Sequence, residues 1–393
     1  MRILLEKMGN IAEYAKCCFL YFVCLIISCF MRNTSSYKDL WLISERTQDA
    51  RDNGYHFFKY LRENQKHINC AYVIDKNSPD YSKVKGLGKI IQPGGLKHYI
   101  AFACAKVKVS THIMGYAPDP YRFAILDRKF KIVRGKKIFL QHGIIKDDIA
   151  ELHYPKVNLD LFVCSTAMEY ESLKDYNYPN GVIKRLGLCR YDALLGEHQV
   201  KRQILVMPTW RYYLRTMNNE EFKQSEYYKS FNSLITDERL NRMLDENDYE
   251  LVLYLHYELQ KFTNLFCTDN KRVKVMGMLD TDVQTLLMES AMLITDYSSV
   301  FFDFAYMKKP MVYWTFDREL FFSEQYGLGY FKFSESGFGP EFSKKEQVVD
   351  YIEMEMARGM AVEDKYLQRT DRTFSDFSKE HCKKTYEAIL ELI

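Results

Sequence analysis

Two short polar segments, each directly after an apolar run, carry the residues of this chain that are suited to chemistry. In one of them the apolar pair 293–294 leads into the sequence TDYSS at 295–299 and then into a helical pattern. Hydroxyls and free backbone N–H groups at a helix start form a site suited to phosphate. In the other, the run 138–141 ends on His142 and Gly143, where a histidine is well placed as general base on a hydroxyl. Together they predict a two-domain transferase with an activated phosphate donor.

The polar side chains of 295–299 are more numerous than helix capping requires, because one Ser, Thr or Asp is enough for a cap. We therefore predict that Thr295, Ser298 and Ser299 bind donor phosphate. Asp296 would repel a phosphate if it pointed inward, so packing or the orientation of hydroxyls suits it better. Asp303 lies one helical turn beyond Ser299 and is either an acceptor for a ribose hydroxyl or a solvated charge. Asp296 and Asp303 are the predicted nucleotide-side residues.

Four further features have both a functional and a structural interpretation. His142 is either a general base or a structural histidine at a turn. His256 follows an apolar run and either donates a hydrogen bond to a phosphate or is a core histidine. Arg211 closes the segment MPTWR and either pairs with a diphosphate through its fork of donors or forms a surface salt bridge. The triplet Asp-Thr-Asp at 280–282 resembles a metal-binding pattern, but it precedes a helical run, so capping explains it equally well. No metal site is predicted.

Composition and absent motifs exclude several classes. The chain carries 55 basic and 52 acidic residues, a net charge of +3, and no long basic run, so no nucleic-acid partner is expected. The phosphate-loop, dinucleotide, zinc-protease and serine-hydrolase motifs do not occur. Ten cysteines without a C-x-x-C pair indicate reduced thiols of a cytoplasmic protein.

Short apolar runs alternate with helical stretches from residue 38 onward, which predicts parallel sheets covered by helices. The expected strands are 40–44, 70–74, 107–110, 137–141, 161–164 and 182–186, then 204–207, 251–255, 273–275, 292–295 and 311–313. A polar stretch near residue 200 separates the two series. The predicted organisation is a hydrophobic segment 1–37, α/β domains 38–198 and 199–364, and a C-terminal helix 365–393. Ligands of such domains bind at the carboxyl ends of the strands.

The N-terminal segment contains fifteen residues without a charge, CCFLYFVCLIISCFM at 17–31. This is short for a bilayer span, which needs about 20 residues. The segment is either a hydrophobic helix buried against the body or a membrane-inserted or interfacial anchor.

Several of these motifs match one known family. The sequence QHG at 141–143, PTWR at 208–211, and ITDYSS at 294–299 followed by Phe302 and Asp303 resemble the CDP-glycerol glycerophosphotransferases, the teichoic acid primases and polymerases, which also occur in capsule polymer synthesis. The resemblance implies an α/β fold of two Rossmann-like domains facing a cleft, termed GT-B, with a cytidine diphosphate pocket in the C-terminal half.

The resemblance also implies residue roles. His142 and His256 are the implied catalytic histidines, His142 as the acceptor-side base and His256 on the donor phosphates. Ser298 and Ser299 hold the same phosphates, and Arg211 is carried over with them.

The implied reaction transfers a polyol phosphate, foremost glycerol phosphate, from CDP-glycerol or a related CDP-polyol. The acceptor is a hydroxyl of a lipid-linked glycan or polyol phosphate, CMP is released, and no cofactor or metal is required. The implied location is the cytoplasmic face of the membrane, with attachment through the N-terminal segment. The alternatives are a GT-B glycosyltransferase that uses a nucleotide sugar and a non-catalytic scaffold of cell-surface polymer assembly.

Overall fold

The chain divides into two compact units. The structure, a computed structural model, describes residues 2–325 and 329–393, with the backbone alone for residues 2–11. The first unit comprises residues 1–142, 149–193 and 378–393, and the second comprises 143–148 and 194–377. Residues 365–393, expected to be one helix, instead form two helices with a break between them.

The helices and strands follow one another in α/β alternation. The α-helices of the described residues are α1 (Arg2–Met31), α2 (Asn53–Asn64), α3 (Tyr81–Val84), α4 (Leu96–Cys104), α5 (Pro120–Phe130), α6 (Ala167–Leu173), α7 (Tyr191–Leu194), α8 (Asn219–Gln224), α9 (Glu226–Ile235), α10 (Glu238–Glu246), α11 (Val283–Glu289), α12 (Val300–Tyr306), α13 (Arg318–Glu324), α14 (Phe333–Ser336), α15 (Lys345–Ala357), α16 (Asp364–Thr373) and α17 (His381–Leu390). The strands are β1 (Trp41–Ser44), β2 (Cys70–Val73), β3 (Lys89–Ile91), β4 (Val107–Ser110), β5 (Lys136–Phe139), β6 (Leu161–Cys164), β7 (Ile183–Arg185), β8 (Gln203–Val206), β9 (Glu250–Tyr254), β10 (Val273–Met276), β11 (Met292–Thr295), β12 (Met311–Trp314) and β13 (Glu341–Phe342).

Each unit contains one parallel sheet that winds in both directions from its centre. The first sheet has the order β3-β2-β1-β4-β5-β6-β7, and the second has the order β10-β9-β8-β11-β12-β13. These are Rossmann-type orders, in which the chain reverses direction between β1 and β4 and between β8 and β11. The predicted class of two Rossmann-like domains with an N-terminal helix is confirmed.

The register of the strands aligns their carboxyl ends. In the first sheet Ser44 pairs with Ser110, and Ser110 pairs with Phe139. In the second sheet Val206 pairs with both Leu253 and Ile294. The loops that follow these strands therefore meet at one edge of each sheet, beside the point where the strand order reverses.

The inner strands β1, β4, β6 and β11 are buried along their whole length, as parallel strands covered on both faces require. The edge strands β3 and β13, which were not predicted, are short and only partly buried. The final helix α17 completes the core of the first unit. Its Tyr386 ring lies 5.9 Å from the ring of Trp41, and its Ile389 is fully buried in the same cluster.

Helix α1 is longer than the fifteen apolar residues suggested, and residues 12–31 are long and apolar enough to cross a membrane by length and composition. One face packs on the first unit through Cys17, Tyr21 and Cys24, and the Tyr21 hydroxyl donates to the Ile132 carbonyl at 3.1 Å. Within residues 12–31, the opposite face exposes the large side chains of Phe19, Phe22, Ile26 and Phe30.

Candidate active site

The predicted donor residues of the second unit follow three neighbouring strands. Arg211 follows β8, His256 follows β9, and the TDYSS segment ends β11 and continues beyond it. Two hydrogen bonds join the segments that follow β8 and β11: the Thr209 N–H donates to Asp296 at 2.8 Å, and the Thr295 hydroxyl donates to the Met207 carbonyl at 2.8 Å. The segments thus meet where the strand order reverses, which is the usual ligand site of such sheets.

Arg211 lies in the interior of the second unit, where its side chain is 1% exposed. Its guanidinium donates to Asp296 at 2.8 Å, to Asp317 at 2.6 and 2.9 Å, and to the Thr209 carbonyl at 2.6 Å. Both carboxylates are equally buried. Arg211 therefore does not form the surface salt bridge that was its alternative role, because with Asp296 and Asp317 it cross-links the ends of β8, β11 and β12 from within. The buried position of Asp296 agrees with the packing role considered for it.

Aromatic rings enclose the same ion pairs. The guanidinium carbon of Arg211 lies 4.9 to 5.4 Å from the ring centres of Tyr227, Tyr297 and Phe321. Burial works against the charge of Arg211, but the attraction of Asp296 and Asp317 outweighs it and raises the pKa above its ordinary value. Arg211 is therefore a permanent cation with two carboxylate partners.

Ser298 and Ser299 are half-buried, and they are the two predicted phosphate ligands in this segment whose side chains reach solvent. Ser299 occupies the N-cap position of α12, yet its hydroxyl makes no capping hydrogen bond, so capping does not explain this serine. Gly143, which groups with the second unit, lies close by, since a Cβ added to it would approach the Ser299 Oγ to 2.7 Å. Helix α12 has only seven residues, so the two hydroxyls matter more here than its dipole.

Thr295 and Asp303 are both buried, in contrast to these serines. The hydroxyl of Thr295 ties β11 to the end of β8, and the Asp303 carboxylate lies within the packed side of α12. A direct contact of either side chain with a ligand is therefore disfavoured by their position, and their binding roles stay predictions.

His256 is half-buried and stacks on Trp210, with ring centres 5.9 Å apart and planes inclined by 16°. Its Nδ1 accepts a hydrogen bond from the Glu258 N–H at 3.3 Å. In the neutral ring the proton is therefore on Nε2, which is the donor that a phosphate oxygen requires.

The first unit presents His142 just after β5, on an unusual stretch of backbone. Gln141 adopts a left-handed conformation with φ of 60°, which is uncommon for a residue other than glycine. Its side-chain amide donates to the Val163 carbonyl and to Glu169, and the amide is fully buried. The anchored Gln141 side chain holds the turn that directs His142 out of the sheet edge.

The ring of His142 has a defined tautomer. Its Nδ1 lies 3.4 Å from the Thr111 carbonyl, and because a carbonyl only accepts, Nδ1 carries the proton and Nε2 keeps the lone pair. The side chain reaches solvent, but the surrounding protein desolvates the ring and lowers its pKa. Asp52 and the Thr111 carbonyl oppose this shift, whereas Arg46 and Arg190 add to it. His142 is thus a neutral base near pH 7.

The backbone around His142 is held by buried polar groups. The Asn53 amide donates to the Gln141 carbonyl at 2.8 Å and accepts from the Arg190 N–H at 3.0 Å. The Arg190 guanidinium donates to the His142 carbonyl at 3.2 Å and to Asp52 at 2.7 Å. Asn53 and Arg190 therefore fix the position from which the imidazole projects.

Sequence reasoning missed four of the residues that build these sites, namely Asn53, His112, Arg190 and Asp317. The available signal was their position, because His112 lies two residues beyond the predicted strand 107–110 and Asp317 lies four residues beyond the predicted strand 311–313. In the triplet at 280–282, Asp282 accepts from the Gln284 N–H at the start of α11, and Asp280 accepts from the Gly277 N–H. Both therefore have the capping and turn roles that were the alternative to metal binding.

The fold and the sites define an α/β protein of two Rossmann-like units, with His142 after β5 in one and the half-buried hydroxyls of Ser298 and Ser299 before α12 in the other. The chain belongs to the CDP-glycerol:poly(glycerophosphate) glycerophosphotransferase family, whose profile matches residues 25–391. This confirms the family predicted from the motifs.

Named relatives and solved structures agree with this family. The chain is 32% identical over 368 residues to the minor teichoic acid biosynthesis protein GgaB of Bacillus subtilis strain 168, covering 90% of this chain and 40% of GgaB. It is 25% identical to the teichoic acid poly(glycerol phosphate) polymerase of the same strain, covering 82% of this chain and 47% of that protein. The chain thus spans about half the length of these relatives. The structure of the wall teichoic acid polymerase TagF superimposes with a TM-score of 0.68 at 16% identity, covering 99% of this chain and 96% of that one.

The tautomer and pKa of His142 are testable by NMR. We expect the imidazole to titrate below 6.5, and Asp52→Asn to lower its pKa further, because the Asp52 carboxylate stabilises the imidazolium. The measurement is a pH titration of the 13C-labelled histidine ring, assigned by loss of the signal in His142→Gln. A pKa above 6.5, or a rise in Asp52→Asn, would contradict the electrostatic account.

The Arg211 cluster predicts a large stability effect. Arg211→Met leaves two buried carboxylates without their counter-charge, so we expect the free energy of unfolding to fall by about 3–5 kcal/mol. Arg239 of the same unit is a matched control, because it also pairs with two carboxylates, Asp350 and Glu353, but is 47% exposed. Arg239→Met should cost at most about 1 kcal/mol. Urea denaturation followed by circular dichroism measures both, and equal losses would refute the structural role of Arg211.

Proposed function

We propose that this chain transfers glycerol phosphate, or a related polyol phosphate, from a CDP-activated donor to a hydroxyl of a lipid-linked acceptor. The observation that carries the proposal is the fixed tautomer of His142, whose Nε2 lone pair is available to take a proton from a hydroxyl. Family membership supplies the reaction class, and the teichoic acid relatives supply the acceptor class.

The second unit is the proposed donor site. Ser298 and Ser299 donate hydrogen bonds from their hydroxyls to the diphosphate. The Nε2–H of His256, which follows β9, is the third hydrogen-bond donor. Trp210 fixes the plane of the His256 ring by stacking. A variant of TagF soaked with CDPG has the same fold, with a TM-score of 0.69 at 15% identity, which supports the choice of donor.

The proposed step is a single displacement at phosphorus. His142 Nε2 takes the proton of the acceptor hydroxyl while its oxygen forms a bond to the phosphorus that bears the polyol. The bond between that phosphorus and the bridging oxygen breaks, and CMP leaves with the electron pair on its phosphate. Because no intermediate is bonded to the protein, the gain in rate comes from positioning and from neutralisation of the phosphate charge. We propose that the step needs no cofactor or metal.

The acceptor implies work at a membrane surface, and we propose that α1 provides the attachment on the cytoplasmic face. The exposed side chains Phe19, Phe22, Ile26 and Phe30 recur at intervals of three or four residues and so lie along one side of the helix. The other side is already packed on the first unit, as the Tyr21 hydrogen bond shows. If α1 lies in the plane of the membrane surface, its exposed side chains enter the membrane while its other face stays packed on the first unit.

Ligand protection and turnover test the reaction. A ligand at about 100 times its dissociation constant stabilises a protein by about 2.7 kcal/mol. We expect such protection by CDP-glycerol in the wild type and in His142→Ala, but His142→Ala should release no CMP when acceptor is added.

The double change Ser298→Ala, Ser299→Ala should weaken donor binding at least tenfold, since hydrogen bonds to charged groups are worth about 1.5–3 kcal/mol each.

The matched control for the serines is Ser233→Ala, because this half-buried hydroxyl on α9 of the same unit donates only to a backbone carbonyl, that of Ser230. It should leave protection unchanged. Protection by UDP-sugars instead of CDP-polyols would favour a glycosyltransferase, and no protection by any nucleotide would favour a scaffold. CMP release at the wild-type rate by His142→Ala would refute the base.

The membrane proposal predicts a defect for a charged α1. We expect the double change Phe19→Glu, Phe22→Glu to reduce co-sedimentation with phosphatidylglycerol vesicles at least tenfold, because each buried ring contributes about 1.5–3 kcal/mol. Leu279→Glu is the control, since Leu279 is 83% exposed but lies on the second unit. Undiminished sedimentation of the double variant would show that α1 does not provide the attachment.

A further inference from the structure

Two residues at the carboxyl-end edge of the first sheet, Arg46 and His112, have no role in the reaction described above. Arg46 follows β1 and His112 follows β4, and the ends of these strands, Ser44 and Ser110, are paired in the sheet. They therefore occupy the position where the strand order of the first sheet reverses. Ligands of open α/β sheets bind at this position.

Arg46, His112 and His142 form a continuous stack. The Arg46 Nε–H donates to His112 Nε2 at 3.2 Å, and the His112 ring lies parallel to that of His142, with centres 4.8 Å apart and planes inclined by 11°. Since Nε2 of His112 accepts, its proton is on Nδ1, which donates to the Thr111 hydroxyl at 2.9 Å. Thr111 thus holds both rings, one through its hydroxyl and the other through its carbonyl.

His112 remains neutral in this arrangement. Burial, with smaller effects from His142 and Arg46, lowers its pKa to about 2. The stack therefore carries a fixed positive charge at the Arg46 end and a neutral base at the His142 end, separated by one neutral imidazole.

The loop that carries Arg46 is rigid, although the side chain is 43% exposed. The preceding residue, Glu45, is buried and accepts three backbone hydrogen bonds, from the N–H groups of Arg51, Asp52 and Tyr55. Gly115 of the neighbouring loop packs so closely that a Cβ there would lie 2.4 Å from the Glu45 carbonyl. An anion from solvent therefore meets a guanidinium on a fixed backbone.

The charges around this end of the sheet favour an anionic ligand at Arg46. Two arginines lie at this end of the sheet: Arg190 is only 8% exposed and donates to Asp52 at 2.7 Å, whereas the side chain of Arg46 is 43% exposed and can be reached from solvent. An arginine fork binds phosphate oxygens through two parallel N–H bonds.

We propose that Arg46 binds the acceptor phosphate that neighbours the reacting hydroxyl, and that His112 is a positioning residue that keeps Arg46 and His142 in one stack. The ligand class is a phosphomonoester or phosphodiester of a polyol. This inference rests on the proposed function, because it assigns the acceptor of the same reaction. With Arg46 in this role, the site prefers an acceptor that already carries a phosphate over an acceptor with hydroxyls alone.

The test compares a phosphorylated acceptor with a neutral one. Arg46→Gln should raise KM for an acceptor that ends in glycerol phosphate at least tenfold, and should raise KM for glycerol as acceptor by much less. Arg46→Lys should recover part of the loss. Arg128→Gln is the matched control, because Arg128 belongs to the same unit, pairs with Glu151 and is also 43% exposed. An equal rise in KM for both acceptors, or no change, would overturn the proposal.

The pH profile gives a second readout. The charged groups that act on His142 are Asp52, Arg46 and Arg190, with neutral His112 stacked on the ring. Arg46 disfavours the imidazolium, so Arg46→Gln should raise the pKa of His142 and move the acid limb of kcat/KM to higher pH. A profile that does not move in Arg46→Gln would contradict this coupling.

A binding measurement separates this inference from the transfer reaction itself. Glycerol 3-phosphate added to the full-length protein should shift the ring signals of His112 and His142 in the wild type and in Arg128→Gln, but not in Arg46→Gln. These shifts without any CMP release would uphold the phosphate site and refute the transferase. CMP release from CDP-glycerol without these shifts would uphold the transferase and overturn the site.

Discussion

The buried guanidinium of Arg211 organises the second unit, because it joins the ends of three strands that are far apart in sequence. One cation and two carboxylates are enclosed by aromatic rings, so none of the three charges can be removed without leaving another uncompensated. Asp296 lies only two residues before Ser298, and the Asp317 carboxylate also accepts from the Tyr297 hydroxyl at 3.3 Å. The two serine hydroxyls are thus placed by an ion pair that itself has no access to ligand.

The first unit holds its histidine with two amides, one carbonyl and one ion pair, Arg190 with Asp52. The amides of Asn53 and Gln141 hold the backbone that leads into His142, and the Thr111 carbonyl selects the tautomer of its ring. The Arg190–Asp52 pair adds one charge of each sign beside His142, and these two charges act on the pKa of His142 in opposite directions. The two units therefore differ, because the first surrounds its histidine with amides and one ion pair, whereas the second places its serines beside a buried cation with two carboxylates.

Much of this fold is readable from the sequence, since inner parallel strands are continuous apolar runs. Strands β4, β6 and β11 begin and end at the predicted residues, whereas β3 and β13 were missed because short, half-exposed edge strands have no apolar run. At the sites, residue type indicated His142 and the serine pair. It did not indicate that Arg211 is interior or that His112 stacks on His142, because these depend on which strand ends become neighbours.

The return of residues 378–393 to the first unit orders the events of synthesis. Ribosomes deliver the chain from its N-terminus, and domains generally fold as units as they emerge. Here the second unit has all of its residues by 377, whereas the first lacks Tyr386 and Ile389 until the last helix arrives. The unit that begins first is therefore completed after the second unit has all of its residues. A nascent chain stalled before α17 would carry a complete second unit beside an unfinished first one.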